Sequence, residues 1–178
     1  GLRLSAMLPR EKPWDVLIGC KPGLKLADME PGSRIGSSSL RRRAQLQRNY
    51  PGLQICSVRG NLDTRLRKLE EGQYDGIILA YAGVKRMGWL ERITEIIPER
   101  VCLPAVGQGA IGIEVRTDDR RSLELAAKLN CPQTSAAVEA ERAFMNRLEG
   151  GCQVPIGALG EISGGTLTLR GMVASLDG

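Results

Sequence analysis

Histidine is absent from all 178 residues. Without it there is no Ser-His-Asp or Cys-His pair, no HExxH zinc site and no imidazole general base. Aromatic residues are only 3% of the chain, too few for the stacking platforms that bind single-stranded nucleic acid. No apolar run approaches the roughly 18 residues that a membrane span needs, so no membrane partner is expected. Cysteine occurs five times, at Cys20, Cys56, Cys102, Cys131 and Cys152, with wide spacings and no CxxC. An odd, scattered set argues against a disulfide framework and against structural zinc, and it fits a reducing compartment; a cytoplasmic location is expected. Cys20, Cys56, Cys102 and Cys131 are expected to be small buried hydrophobes.

What is present is an ordinary globular composition, 42% hydrophobic and 25% charged. The net charge of +5 is unevenly placed. Between Arg34 and Arg67 stand eight arginines (Arg34, Arg41, Arg42, Arg43, Arg48, Arg59, Arg65 and Arg67) against one acid, Asp63, a local charge of +7. All eight are Arg, whose planar fork grips carboxylate or phosphate through two parallel bonds, whereas Lys acts as a point charge. A solvated basic face is the plain alternative. Tyr50 is the one aromatic in that window, so the phosphate contacts of a nucleic-acid binder would lack stacking partners, and no nucleic-acid partner is expected.

Periodicity and turn residues predict strands over 2–7 and 14–18, and a loop with a short helical piece over 22–31. A helix to about Asn49 follows, capped within Ser37-Ser38-Ser39. Then come a strand over 53–58, a helix capped by Asn61 and ended by Gly72, and a strand over 74–80. Ile77-Ile78-Leu79 reads as buried on both faces. This order predicts an α/β fold with a parallel or mixed sheet, whose ligands sit where helix N-termini point. Arg41, Arg42 and Arg65 fall in first helical turns and Arg59 ends a strand. Helix starts usually hold acids, so arginines there point to an anion site. Further on, Ile111, Ile113 and Val115 alternate as a strand, Asp118-Asp119 opens a helix, Thr134 caps another, and 161–175 reads as a hairpin or meander around Gly164-Gly165.

Five stretches together resemble the porphobilinogen deaminase (hydroxymethylbilane synthase) family. They are Gly36-Ser-Ser-Ser-Leu-Arg-Arg-Arg-Ala-Gln-Leu46, Val58-Arg-Gly-Asn-Leu-Asp-Thr-Arg-Leu-Arg-Lys-Leu69, Ala82-Gly-Val-Lys-Arg-Met-Gly-Trp89, Leu103-Pro-Ala-Val-Gly-Gln-Gly-Ala-Ile-Gly112 and Leu148-Glu-Gly-Gly-Cys-Gln-Val-Pro-Ile-Gly157. The resemblance covers essentially the whole chain, in order. It implies a transferase that joins porphobilinogen units into hydroxymethylbilane, releasing ammonia, on a dipyrromethane cofactor attached through Cys152. It further implies that Ser37, Ser39, Arg41, Arg42, Arg65 and Arg86 hold carboxylates of cofactor and growing chain. Arg59, with Arg41 and Arg42, meets substrate, and Gln108 and Gly109 line the cleft. Arg34 and Arg43 are left as surface charge.

The same resemblance implies two domains like the halves of periplasmic binding proteins and a small α+β third domain. On that division, 1–14 with 104–130 belongs to the first, 15–103 to the second and 131–178 to the third; the complete protein is expected to be a monomer. The family's catalytic Asp, in a His-Ser-x-Lys-Asp-like segment, is expected upstream of Gly1. No catalytic residue is therefore assigned here; Asp63 reads as an ion-pair partner or helix-start acid, and Glu149 as solvent-facing. The stretch alone is expected to be inactive. A non-catalytic carboxylate- or phosphate-binding α/β module is the alternative. Cys152 separates the two, since reversible binding needs no covalent anchor.

Overall fold

The computed structural model describes residues 1–148 and 154–175. Its frame lies between Arg34 and Ala80, where β3 (Arg34–Gly36), α1 (Leu40–Asn49), β4 (Gln54–Cys56), α2 (Leu62–Glu70) and β5 (Gly76–Ala80) alternate. Here β3 pairs parallel with both β4 and β5, as strand–helix–strand connections require.

The rest of this sheet runs antiparallel. β2 (Asp15–Gly19) lies antiparallel to β5, with Val16 opposite Leu79, and β6 (Glu95–Ile96) lies antiparallel to β2. The order is β4-β3-β5-β2-β6, a mixed sheet in an α/β architecture. The physical reason is the connection. Residues 20–33 carry only a 3-10 turn, Leu26–Asp28, so no crossover helix forces β2 into the direction of β3.

Successive strand residues point to opposite faces. Leu17, Ile35 and Ile78 pack with Leu46 of α1 on one side. Val16, Ile18, Ile77 and Leu79 pack with Leu66 and Leu69 of α2 and Val84 of α3 (Tyr81–Arg86) on the other. With both faces covered, β2 and β5 need unbroken apolar runs, and each fully buried Leu or Ile contributes about 1.5–3 kcal/mol.

Two smaller sheets flank this one. β1 (Leu2–Met7) pairs antiparallel with β7 (Gly112–Arg116), which leads to α4 (Arg120–Ala127). β8 (Ile156–Ser163) and β9 (Thr166–Val173) form the expected hairpin, turning through Gly164-Gly165 at positive φ. α5 (Pro132–Arg147) lies on β8 so closely that a Cβ at Gly160 would sit 2.7 Å from the Ala137 carbonyl.

Three helix caps fall where the residue types place them. Ser39 accepts from Arg42 N, Asn61 from Thr64 N and Asp119 from Ser122 N. The fourth does not. α5 starts at Pro132, with Cys131 as its N-cap, because proline's missing N–H costs nothing in a first turn. Thr134 is already inside the helix, and its hydroxyl accepts from Arg10 N at 3.1 Å.

The cysteines also need correction. Cys102 is buried, but Cys20 is exposed and Cys56 and Cys131 are half-buried, because these three stand at strand and helix ends near the surface. Asp63 is a helix-start acid in the first turn of α2, while Arg67 pairs with Glu71.

Candidate functional site

The turn between β3 and α1 is built from its serines. Ser37 is buried and its hydroxyl accepts from Ser39 N at 3.3 Å. Ser38 donates to the Val58 carbonyl at 2.6 Å, tying this turn to the one that carries Arg59. Ser39 then caps α1 and sets Arg41 and Arg42 in its first turn.

Both arginines run inward and are buried. They meet Asp15, the first residue of β2, whose carboxylate has no solvent exposure at all. Arg41 Nη1 lies 2.7 Å from Asp15 Oδ2. Arg42 grips Asp15 Oδ1 through Nη2 at 2.7 Å and Nε at 3.0 Å, and its Nη1 donates to the Ile78 carbonyl at 3.0 Å. Gln108 Nε2 donates to the same Oδ1 at 3.0 Å, and Cys102 Sγ donates to Oδ2 at 3.2 Å. One carboxylate thus collects α1, β2 and the 102–108 loop.

Burial by itself would raise the pKa of Asp15, but Arg42 and then Arg41 outweigh it and hold the group down at about 2. Burial, reinforced by the Asp15 charge, pushes the Cys102 thiol up to about 12.

Asp15 was not singled out by sequence reasoning. A lone Asp at a strand start carries no motif, and its partners lie 26 to 93 positions away. The one local hint is an acid opening an otherwise apolar run.

A cleft of about 580 Å3 opens beside this network, with Ser39, Arg41, Arg42, Arg65 and Arg142 in its wall and Ala105, Val106 and Ile156 among its apolar residues. Arg65 is half-buried, and its Nε donates to the Gly60 carbonyl at 2.9 Å. Arg41 Nε is buried without a hydrogen-bond partner.

The other expected residues are not all gathered here. Arg86 and Gly109 line a second cleft, of about 570 Å3, with Glu11 and Lys85, which form an ion pair. The two clefts share no lining residue. Gln108 is committed to Pro13, Asp15 and Arg41. Arg59 is exposed, as Arg34 and Arg43 are. Cys152 and Glu149 lie outside the described residues.

Residues 1–124 match the family model described as porphobilinogen deaminase, dipyromethane cofactor binding domain, and residues 135–178 match the model for the porphobilinogen deaminase C-terminal domain. The chain belongs to the porphobilinogen deaminase family. It is 53% identical, over its whole length, to porphobilinogen deaminase of Syntrophobacter fumaroxidans and 54% identical to that of Carboxydothermus hydrogenoformans. It spans 57% of the length of each.

Among solved structures, this family member is similar to the second substrate binding domain of an amino acid ABC transporter from Streptococcus pneumoniae, with a TM-score of 0.49 at 15% identity, covering 83% of this chain and 64% of that one. It is also similar to the VFT2 domain of Bordetella pertussis BvgS, with a TM-score of 0.45 at 15% identity, covering 82% and 60%. Among the described residues no helix is long and apolar enough to cross a membrane.

Proposed function

We propose that this chain supplies the carboxylate-binding wall of a cytoplasmic, monomeric transferase. That enzyme joins four porphobilinogen units into hydroxymethylbilane, forming one carbon–carbon bond and releasing one ammonia per addition. The observation that carries this reading is the cleft beside α1. Its wall holds four guanidiniums, and one buried donor, Arg41 Nε, lacks a partner. Each pyrrole unit carries an acetate and a propionate, and forked cations suit such ligands.

The residues present fit a dipyrromethane cofactor. Ser39, Arg41, Arg42 and Arg65 would hold its carboxylates, and Cys152 would carry it through a thioether. When bound, that cofactor supplies the pyrrole end to which new units are joined. The remaining assignments, Ser37 and Arg86 toward cofactor, Arg59 toward substrate, and Gln108 and Gly109 in the cleft wall, belong to the same reading. Its three sheets support dividing the chain into 1–14 with 104–130, 15–103 and 131–178.

One observation favours a narrower role for the chain by itself. Among the described residues no carboxylate lines the cleft, and Asp15 is engaged by four side chains. Binding without turnover is the behaviour this supports.

Titration of porphobilinogen into the purified chain, followed by calorimetry, tests the reading. Saturable binding that weakens as salt rises is expected, with Arg65→Gln costing roughly ten- to a hundredfold in affinity. Absence of binding overturns it.

A further inference from the structure

Gln45 lies on α1 one turn beyond Arg41, and it is buried. A buried side-chain amide needs partners for both its oxygen and its nitrogen. Here both close on the backbone of one residue, 58 positions away. Gln45 Oε1 accepts from Leu103 N at 2.8 Å, and Gln45 Nε2 donates to the Leu103 carbonyl at 3.1 Å. The same Nε2 lies 3.3 Å from the Arg41 carbonyl and 3.6 Å from Cys102 Sγ. Gln45 is outside the lining of the cleft beside α1 and faces a separate cavity of about 490 Å3. Any effect it has on a ligand in that cleft therefore passes through another residue.

That residue is Arg41. Its Nη1 donates to the Leu103 carbonyl at 2.6 Å and lies 3.3 Å from Cys102 Sγ, and its Nη2 lies 3.4 Å from Gln108 Oε1. Both terminal nitrogens are thus engaged inward, and Nε is left without a partner. Asp15 holds Arg41 and Arg42 alike. The Leu103 carbonyl is specific to Arg41, since the carbonyl that Arg42 uses is that of Ile78. Gln45 fixes Leu103 at both its N–H and its C=O, so it supports one arginine of the pair. It also anchors the start of the next segment, in which the Pro104 carbonyl accepts from Ala158 N at 3.0 Å and Ala105 and Val106 line the cleft.

We infer that Gln45 is a positioning residue for this cleft: by clamping the backbone of Leu103 it holds the carbonyl that locks the Arg41 guanidinium, and with it the setting of the unpartnered Nε. A residue that only filled space at this point would be replaced by Met, of similar length and volume, without loss. A residue that acts through its amide would not. This inference rests on the proposed function, which supplies the ligand.

The test is porphobilinogen titration of the unchanged chain, Gln45→Met, Arg41→Lys and the double variant, with thermal melts to show that each is folded. Gln45→Met is expected to weaken binding roughly three- to tenfold. Arg41→Lys keeps the charge and loses the fork. In that background Gln45→Met should cost less than about a further twofold, because the group it positions is gone. A second measurement needs no variant. In the isotope-labelled unchanged chain, the side-chain NH2 signals of Gln45 should move in step with binding, since Gln45 and Arg41 share the Leu103 carbonyl. Those of Gln73, exposed and bonded to Glu71, should stay still. Should Gln45→Met not fold, this measurement decides alone. Normal affinity in folded Gln45→Met, its full loss repeated on top of Arg41→Lys, or unmoved Gln45 signals at saturation each overturn the inference and leave the proposed function standing. No binding by the unchanged chain overturns both.

Discussion

Asp15 is the residue on which the arginine wall depends. Asp15→Asn leaves Arg41 and Arg42 buried without a counter-charge, a change that costs about 3–5 kcal/mol in comparable buried pairs. Chemical denaturation of the variant should show a loss of that size. A loss under about 1 kcal/mol would mean that water or neighbouring carbonyls carry the two charges instead. Because Asp15 is held at about 2, below its ordinary 3.8, its contribution is complete above about pH 4 and disappears as pH falls toward 2. Urea midpoints measured down that range should drop for the unchanged chain and drop less for Asp15→Asn. Arg42→Lys keeps the charge but gives up bonds to both Asp15 and the Ile78 carbonyl, so it should lower stability as well as affinity. Arg43→Lys, exposed and outside the network, should alter neither measurement.

At the scale of elements, the 105–110 loop holds Gln108 against Asp15 because Gly109 permits it. Gly109 has φ of +82°, and its carbonyl oxygen accepts from Glu11 N at 2.9 Å. An added Cβ would lie 2.5 Å from the Glu11 carbonyl oxygen, a backbone atom with little room to move. Gly109→Ala is therefore strained in conformation and in space, and a destabilisation above about 1 kcal/mol is expected. The variant should also bind porphobilinogen less well, since the loop that carries Gln108 must shift. A melting curve and a titration matching the unchanged chain would show that the loop adapts. Helix ends on this scale were legible in the residues. Ser39, Asn61 and Asp119 cap as their side-chain chemistry allows, each bonding an amide three positions on. Pro132 was equally readable as a helix start, but the hydroxyl of Thr134 competed for that role and in fact serves Arg10.

Among the described residues, the fold brings four guanidiniums to one cleft wall and no carboxylate beside them. A proton donor must hold its proton near neutrality, and Asp15, at about 2, has lost its own. Incubating the purified chain with porphobilinogen should give no hydroxymethylbilane and no ammonia above the uncatalysed background. Turnover near that of a full-length relative would show that another group supplies the acid. The same scale explains why the expected site residues divide between two clefts. Arg41, Arg42 and Arg65 stand at the N-terminal ends of α1 and α2, whereas Arg86 is the last residue of α3. The clefts these ends line share no residue, so membership of one family pattern does not become nearness in space.

By itself the sequence determined the family, the arginine-rich window, the two helices of the 34–80 frame with their caps and the cap of α4, because these depend on residue type and on neighbours within a few positions. The tertiary structure alone decided the antiparallel setting of β2, the exposure of Cys20, and the meeting of Asp15 with Arg41, Arg42, Cys102 and Gln108. It alone decided the burial of Glu141 against Arg10, Gly107 and Gly160. Each of these rests on pairing across 19 or more positions or on which surface another element happens to cover. No local periodicity records such pairings, since the free energy that selects them comes from burying charges and apolar faces against partners distant in the chain.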